Sequence, residues 1–506
     1  MYNHFNIYRK YLLLFLIILM GTGVNAQDIN ITKYGAKGDG HYTNTKAIQK
    51  AIDECTKTGG TVRIPQGKFV TGTIYLKSNV TLFLEKGAVL LGSTDSLDYT
   101  PNSPATVNCV STHSRNGKPK LNYALVYAED QDNIAITGPG TIDGQGGASR
   151  YQKGDNGHNR PKLIFIISCR NVLVKDVLLT NSAFWMQDYL GCDGVTIDNI
   201  RVLNHANWNN DGLDIDSKNV RVSNCFIDSD DDAICLKSYL KDRPCENVTV
   251  TNCVVASNCD GIKMGTPGAG GFKNIAINNC TVTESKFDHF RKWKIRDKYI
   301  NAEISMVAGI SVECVDGGNT DGIVIDNITM RGVQTPIYIR LGSRMEKMNG
   351  DADRKSSLRN VLISNIISDQ QSRRSSSITA IPGSYIENVK LSHMVFDIHS
   401  EGSKEDALIT VPEKENAYPS PHSFGTTLPA FGFYIRHVKN ISISDVQFNI
   451  LNSELRFPVV LEDVNYAAFN DLTIKKQSSG TKQAVLEDFK IVQSQDIFID
   501  RKKLNQ

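Results

Sequence analysis

The sequence has no excess charge of either sign, no apolar run long enough to cross a bilayer, no extended helical pattern and no even count of cysteines. Its 56 Lys and Arg against 54 Asp and Glu produce no global field that would select nucleic acid or an anionic membrane, so an acidic ligand has to be recognised locally. The run from Tyr11 to Met20 is about half of what a bilayer-spanning helix needs, and no later stretch comes closer, which argues against membrane insertion. With Arg9 and Lys10 before it and Val24-Asn25-Ala26 after it, this run reads as a cleaved secretory signal over residues 1–26. The mature chain, starting near Gln27, is expected in the periplasm or outside the cell. No Cys follows the small-residue site, so a lipid anchor is not supported. The 11 cysteines are odd in number and several lie in strand-like positions, where a free thiol acts as a small apolar residue, so few bridges are expected.

One short phrase recurs: Asn or Gly, a β-branched residue, any residue, another aliphatic, and soon an Asn or Asp followed by an apolar residue. It begins at Asn171, Gly194, Asn219, Asn247, Asn274, Gly322, Asn360, Asn388 and Asn440. Typical starts lie 23 to 28 residues apart, while the gaps from 274 to 322 and from 388 to 440 hold about one extra unit, either an inserted loop or a skipped repeat. Period-two Val and Ile broken by Gly, Asn and Asp, with no long helical pattern between, predict short strands joined by turns and coiled into an all-β solenoid over residues 27–506. Asn199, Asn224, Asn252, Asn279, Asn327 and Asn365 share one place in their units, as stacked amides bonding up and down the coil would. Ordinary surface turns would also account for them.

A second set of strands follows each phrase: Leu213–Asp216, Ile234–Lys237, Ile262–Gly265, Ile310–Glu313 and Ile337–Arg340. If the aliphatics point inward, alternation puts Asp214, Asp216, Lys237, Lys263, Ser311, Glu313, Tyr338 and Arg340 on one outer face. That face suits a groove for a chain-like polar ligand, or a merely solvated sheet. Three successive units enter it with Asp211 before Gly212, Asp231-Asp232 before Ala233 and Asp260 before Gly261. Strands stack at about 4.8 Å, so these carboxylates should gather within roughly 10 Å, and like charges that close raise at least one pKa. Glycosidic hydrolysis needs such a set, one acid protonated and another carboxylate activating water. Clustered carboxylates also suit calcium, and a lone Asp-Gly is a common turn.

These residues resemble glycoside hydrolase family 28, the polygalacturonases and rhamnogalacturonan hydrolases. The likeness starts at Tyr34–Gly40 and runs through Ala47–Ile52, Gly59–Val62, Leu76–Val80, Leu84–Ala88, Leu90–Ser93, Gly140–Gly146 and Asn181–Trp185, over at least residues 30–345. It implies a right-handed parallel β-helix that cleaves pectic polysaccharide without a cofactor or metal. The family's N-T-D-G reads Asn209-Asn210-Asp211-Gly212 here, and its paired Asp falls on Asp231 and Asp232 once the Lys237-Ser238 ending is aligned, with Asp230 an extra acid upstream. The resemblance implies Asp231 as general acid, Asp211 with Asp232 holding the attacking water, and inversion at the anomeric carbon. Asn209 at the head of the motif is carried over as a substrate contact.

Two family elements are missing. Cys259-Asp260-Gly261 stands for G-H-G, and Ser311-Val312-Glu313 stands for R-I-K, so the cations that grip a galacturonate carboxylate are replaced by acids. Glu313 would repel a uronate, while Lys263 and Arg340 on the same face are expected to help bind substrate, with Asp260 beside them. Arg340 pairing with Glu313 is the other reading. A branched or mixed pectin such as rhamnogalacturonan, attacked at chain ends, is the expected substrate, taken by a monomer. The basic, aromatic insert Lys286–Arg296, within a loop near 284–306, is expected to wall the groove or cap apolar surface, and the Pro- and Gly-containing stretch near 398–432, which shows no clear repeat, is expected to be another long loop. A calcium-dependent lyase and a non-catalytic sugar-binding β-helix are the rival classes.

Overall fold

A computed structural model describes residues 26–102, 105–106, 122–152, 160–287, 306–344, 354–476 and 480–503. The signal-like stretch and most of the basic insert, from residue 288, lie outside the described residues. Nearly all the rest is one right-handed parallel β-helix in a continuous sheet of 34 strands. Helix α1 (Thr45–Cys55) turns Ile48, Ala51, Ile52 and Cys55 inward and covers the first coils. At the other end the short strand Gly480–Gln483 pairs antiparallel with Phe457–Lys476, and Lys502–Lys503 pairs antiparallel with Gln495–Ile499, closing the edge.

The outer face is carried by β1 (Gln187–Asp198), β2 (Leu213–Ser223), β3 (Ile234–Ser238), β4 (Asp260–Gly268), β5 (Ala308–Cys314), β6 (Thr335–Leu341), β7 (Ser376–Thr379) and β8 (Ala430–Ile450). Their parallel register stacks Tyr189, Ile215, Leu236, Met264, Val312, Ile339, Ile378 and Ile435 in one buried inner column. One residue earlier, the outer column reads Asp188, Asp214, Cys235, Lys263, Ser311, Tyr338, Ser377 and Tyr434. The aliphatic column removes apolar surface from water in every coil, and a one-residue slip would turn it outward, so burial sets the register that aligns the polar side chains.

The Asn and Gly that open each phrase occupy left-handed corners: Asn219, Asn247 and Asn274 have φ of 57°, 55° and 53°, and Gly194 and Gly322 take the same turn at 75° and 77°. Asn247 donates to the Asn219 Oδ1 at 3.0 Å and Asn274 to the Asn247 Oδ1 at 2.8 Å, a ladder repeated by Asn388 on Asn360 and Asn440 on Asn388. The second Asn set also bonds between coils, with Asn327 on Asn279 and Asn365 on Asp326, while remaining at surface turns. Ile275 pairs directly with Ile323 and Val389 with Ile441, so both long gaps are inserted loops and no repeat is skipped. All ten described cysteines are free thiols, nine of them buried.

Asn247→Val combines a β-branched side chain at positive φ with the loss of two inter-coil amide bonds. It is expected to cost on the order of 2 kcal/mol in urea unfolding, and Asn247→Gly clearly less.

Candidate active site

The Asp-Gly pairs of the groove are packing requirements as well as turns. The Gly212 N–H donates to the Asp232 carbonyl at 2.9 Å and the Ala233 N–H to the Asp260 carbonyl at 2.9 Å, which stacks Asp211, Asp232 and Asp260 in consecutive coils. A Cβ at Gly212 would stand 2.5 Å from the Ile227 Cγ2 and one at Gly261 would stand 2.4 Å from the Val282 Cγ1, so no larger residue fits behind either acid. Asn204 Nδ2 and the Met186 N–H both donate to the Asp211 carbonyl, at 2.9 and 3.0 Å. Ser229 and Ser257 donate to the Asp231 carbonyl at 2.9 and 2.7 Å, which fixes the backbone on which the paired acids stand.

Asp231 is half-buried, whereas Asp211 and Asp232 are buried. The Asp232 N–H donates to Asp231 Oδ1 at 3.1 Å, and Asn209, at φ 50°, offers Nδ2 to Asp231 Oδ2 at 3.4 Å. Arg160 in turn reaches Asn209 Oδ1 at 3.3 Å.

Two buried lysines neutralise the cluster. Lys237 lies 3.1 Å from Asp214 and 3.7 Å from Asp211, with its ammonium 4.6 Å from the centre of the Trp185 ring. Lys263 lies 2.8 Å from Asp260 and 3.2 Å from Asp232. Burial first, then the charges of Asp214 and Asp231, drive the Asp211 carboxyl well above the carboxylate range. Burial also opposes ionisation of Asp232, but Lys263 and then Lys237 outweigh it and hold that carboxyl below its ordinary value. Neighbouring acids are thus pushed in opposite directions, Asp211 toward its neutral form and Asp232 toward its charged one, a contrast that general acid and base work can use.

Of the other expected contacts, Asp260 and Lys263 join this network, while Glu313 and Arg340 face each other in register on β5 and β6 without pairing. The Arg340 guanidinium donates instead to the carbonyls of Ala380 at 2.9 Å, Glu413 at 2.7 Å and Lys414 at 3.2 Å. Glu313, the protein partner considered for it, is therefore not the one it has. The reason is the connection 399–429 between the strand Ile386–Ile398 and β8, which folds back as a strap over the later coils. Val411, Phe424 and Leu428 of this strap are buried with Tyr338 and Tyr434. Arg436 holds its carbonyls at Val411 and Pro412, and Arg374 holds the one at Gly425.

Asp231, Asp232 and Cys259 present ligand atoms within 4.8 Å of one another. A thiol is a poor calcium ligand, and the Lys263 ammonium already balances Asp232, so this set fits calcium badly. The sequence pattern missed Asp188, which pairs with Lys162 one coil before Asp214, and Tyr418 of the strap, whose hydroxyl lies 3.5 Å from the Lys263 ammonium. The register of Asp188 with Asp214 could have been inferred from alternation, but Tyr418 lies where no repeat exists.

Residues 55–417 match the family described as glycosyl hydrolases family 28. The chain is 30% identical over 312 residues to an exo-poly-α-D-galacturonosidase of Dickeya chrysanthemi, covering 51% of this chain and 50% of that one. It thus spans about half the length of that relative. It is 26% identical over 315 residues to an endo-polygalacturonase of Pectobacterium carotovorum, covering 59% of this chain and 71% of that protein. The fold is similar to that of a family 28 exopolygalacturonase of Yersinia enterocolitica, with a TM-score of 0.59, 19% identity and coverage of 93% and 78% of the two chains.

Burial pushes Asp214 and Asp216 up to about 7, Asp260 to about 6 and Glu313 to about 8. The folded chain therefore binds more protons than the unfolded chain from about pH 4 to about pH 8, and stability should fall as pH rises through that window. Asp232, held low, acts in the opposite sense only below its ordinary range, where falling pH removes its contribution. Glu313→Gln should lessen the fall, matching wild type in urea midpoint near about pH 4.5 and exceeding it near about pH 8.5. A wild-type midpoint that climbs across the same interval would contradict the burial of these acids in protonated form.

Proposed function

The chain belongs to glycosyl hydrolase family 28, and from that premise we propose that it is an exported enzyme that hydrolyses glycosidic bonds of pectic polysaccharide with inversion. Asp231, the half-buried member of the cluster, donates a proton to the glycosidic oxygen as the bond from that oxygen to the anomeric carbon breaks. Asp232, kept ionised by Lys263 and Lys237, takes a proton from a water molecule as the water oxygen bonds the anomeric carbon from the opposite face. Asp211 orients that water, and the cluster recovers its charge state when a proton returns to Asp231. The observation that carries this reading is the gathering of the acids in one place: Asp211, Asp232 and Asp260 stack in consecutive coils, and the half-buried Asp231 adjoins Asp232 with the Asn209 amide on its carboxyl.

The strap supports attack near a chain end, because it covers the outer face from Tyr338 onward and leaves no straight path along all the coils. Two acids where a uronate-binding pair is expected support a mixed pectin such as rhamnogalacturonan as substrate. Asn209, Asp260 and Lys263 complete the substrate-side set around Asp231, and the reading has the protein work as a monomer without a metal.

Asp231→Asn is expected to lower kcat by roughly a hundredfold or more on pectic oligosaccharides, measured as new reducing ends. Proton NMR of the first product should show the inverted anomer. An unsaturated product seen by ultraviolet absorbance would mark a lyase, and binding without turnover that is unchanged by the substitution would mark a non-catalytic solenoid.

A further inference from the structure

Next to the cluster, on the side of the strap, lies a set of groups to which the reaction above gives no proton-transfer role. Tyr418 keeps 53% of its surface exposed although its hydroxyl is drawn to Lys263 and its ring has the Arg344 guanidinium at 5.6 Å. Its stretch of the strap is held to the coils by Arg340 through the carbonyls of Glu413 and Lys414. Glu313 is 1% exposed, accepts a hydrogen bond from Ser311 on Oε1 at 2.8 Å, and has no partner on Oε2. Asp260 Oδ1, one coil earlier, is also without a partner. Buried polar atoms are rarely left unsatisfied unless a ligand or water completes them.

We propose that these groups form a subsite for an uncharged sugar ring, with Tyr418 as its stacking platform and Glu313 as its hydrogen-bonding partner. The inference rests on the hydrolase reading for what lies beside the subsite, and on charge for what enters it. Lys263 is committed to Asp232 and Asp260, Lys237 to Asp214 and Asp211, Arg344 to Asp316 at 2.9 and 2.8 Å, and Arg340 to backbone carbonyls. Among the described residues a uronate carboxylate would meet the Asp232 and Asp260 carboxylates with Lys263, Lys237, Arg344 and Arg340 already engaged, which disfavours it. A neutral sugar offers hydroxyls to the open oxygens and a C–H face to the aromatic ring. Burial pushes Glu313 up to about 8, so near neutral pH it carries a proton and donates to a sugar hydroxyl. The ligand class is a neutral hexose or deoxyhexose within a backbone that also carries galacturonate.

Calorimetric titration of Asp231→Asn protein with size-matched rhamnogalacturonan and homogalacturonan oligosaccharides tests this without turnover. The first is expected to bind at least about tenfold more tightly. Tyr418→Ala should abolish most of that difference and Tyr418→Phe restore it, because the ring and not the hydroxyl carries the contact. Glu313→Lys should shift preference toward homogalacturonan. Equal or tighter binding of homogalacturonan by the Asp231→Asn protein, or no response to Tyr418→Ala, overturns the subsite. Failure of the hydrolase reading would appear separately, as wild-type protein that cleaves neither oligosaccharide.

Discussion

Coil register is the constraint on which everything else in this molecule depends. In a parallel β-helix each residue sits about 4.8 Å above its equivalent in the coil below, so the column beneath largely decides what a side chain touches. The inward column from Tyr189 to Ile435 makes any slip expensive, because one step would expose aliphatics and bury charge in every coil at once. Asn and Gly at left-handed corners turn the chain at the same point of each coil, and their amides bond the corners together. A register that burial enforces therefore delivers Asp211, Asp232 and Asp260 to one place.

The acids can tolerate that proximity because cations are buried with them. Lys237 and Lys263 lie on the same outer face; Lys237 reaches Asp211 and Asp214 of the preceding coil, and Lys263 joins Asp260 of its own coil to Asp232 of the preceding one. Such buried pairs seldom add much stability, since desolvation offsets most of the attraction, but removing one partner leaves a charge uncompensated. Their effect here is on proton distribution. Lys263 and Lys237 keep Asp232 ionised while burial and neighbouring acids push Asp211 toward protonation, so one short stretch of groove supports both halves of an acid and base reaction.

What the sequence makes legible follows from where the repeat runs and where it stops. The acids of the cluster, the inward aliphatics and the polar outer face lie in repeating units, and alternation with a constant coil length placed them correctly. Asp188 belongs to the same column but sits in a unit whose phrase is interrupted by Phe184 and Trp185, and it was missed. Alternation places Arg340 on the right face but cannot show that its protein partners are carbonyls 73 and 74 residues further on and not Glu313. Tyr418 had no signal, since nothing periodic in the strap says where it returns.

Sequence alone determined the solenoid, the columns and the convergence of the carboxylates, because each of these is a local periodic property multiplied by a fixed spacing. Tertiary structure decided which cations face which acids, which of them are left for a ligand, and that a strap closes over the later coils. Those outcomes depend on contacts between segments unrelated by the repeat, where separation along the chain carries no information about distance in space.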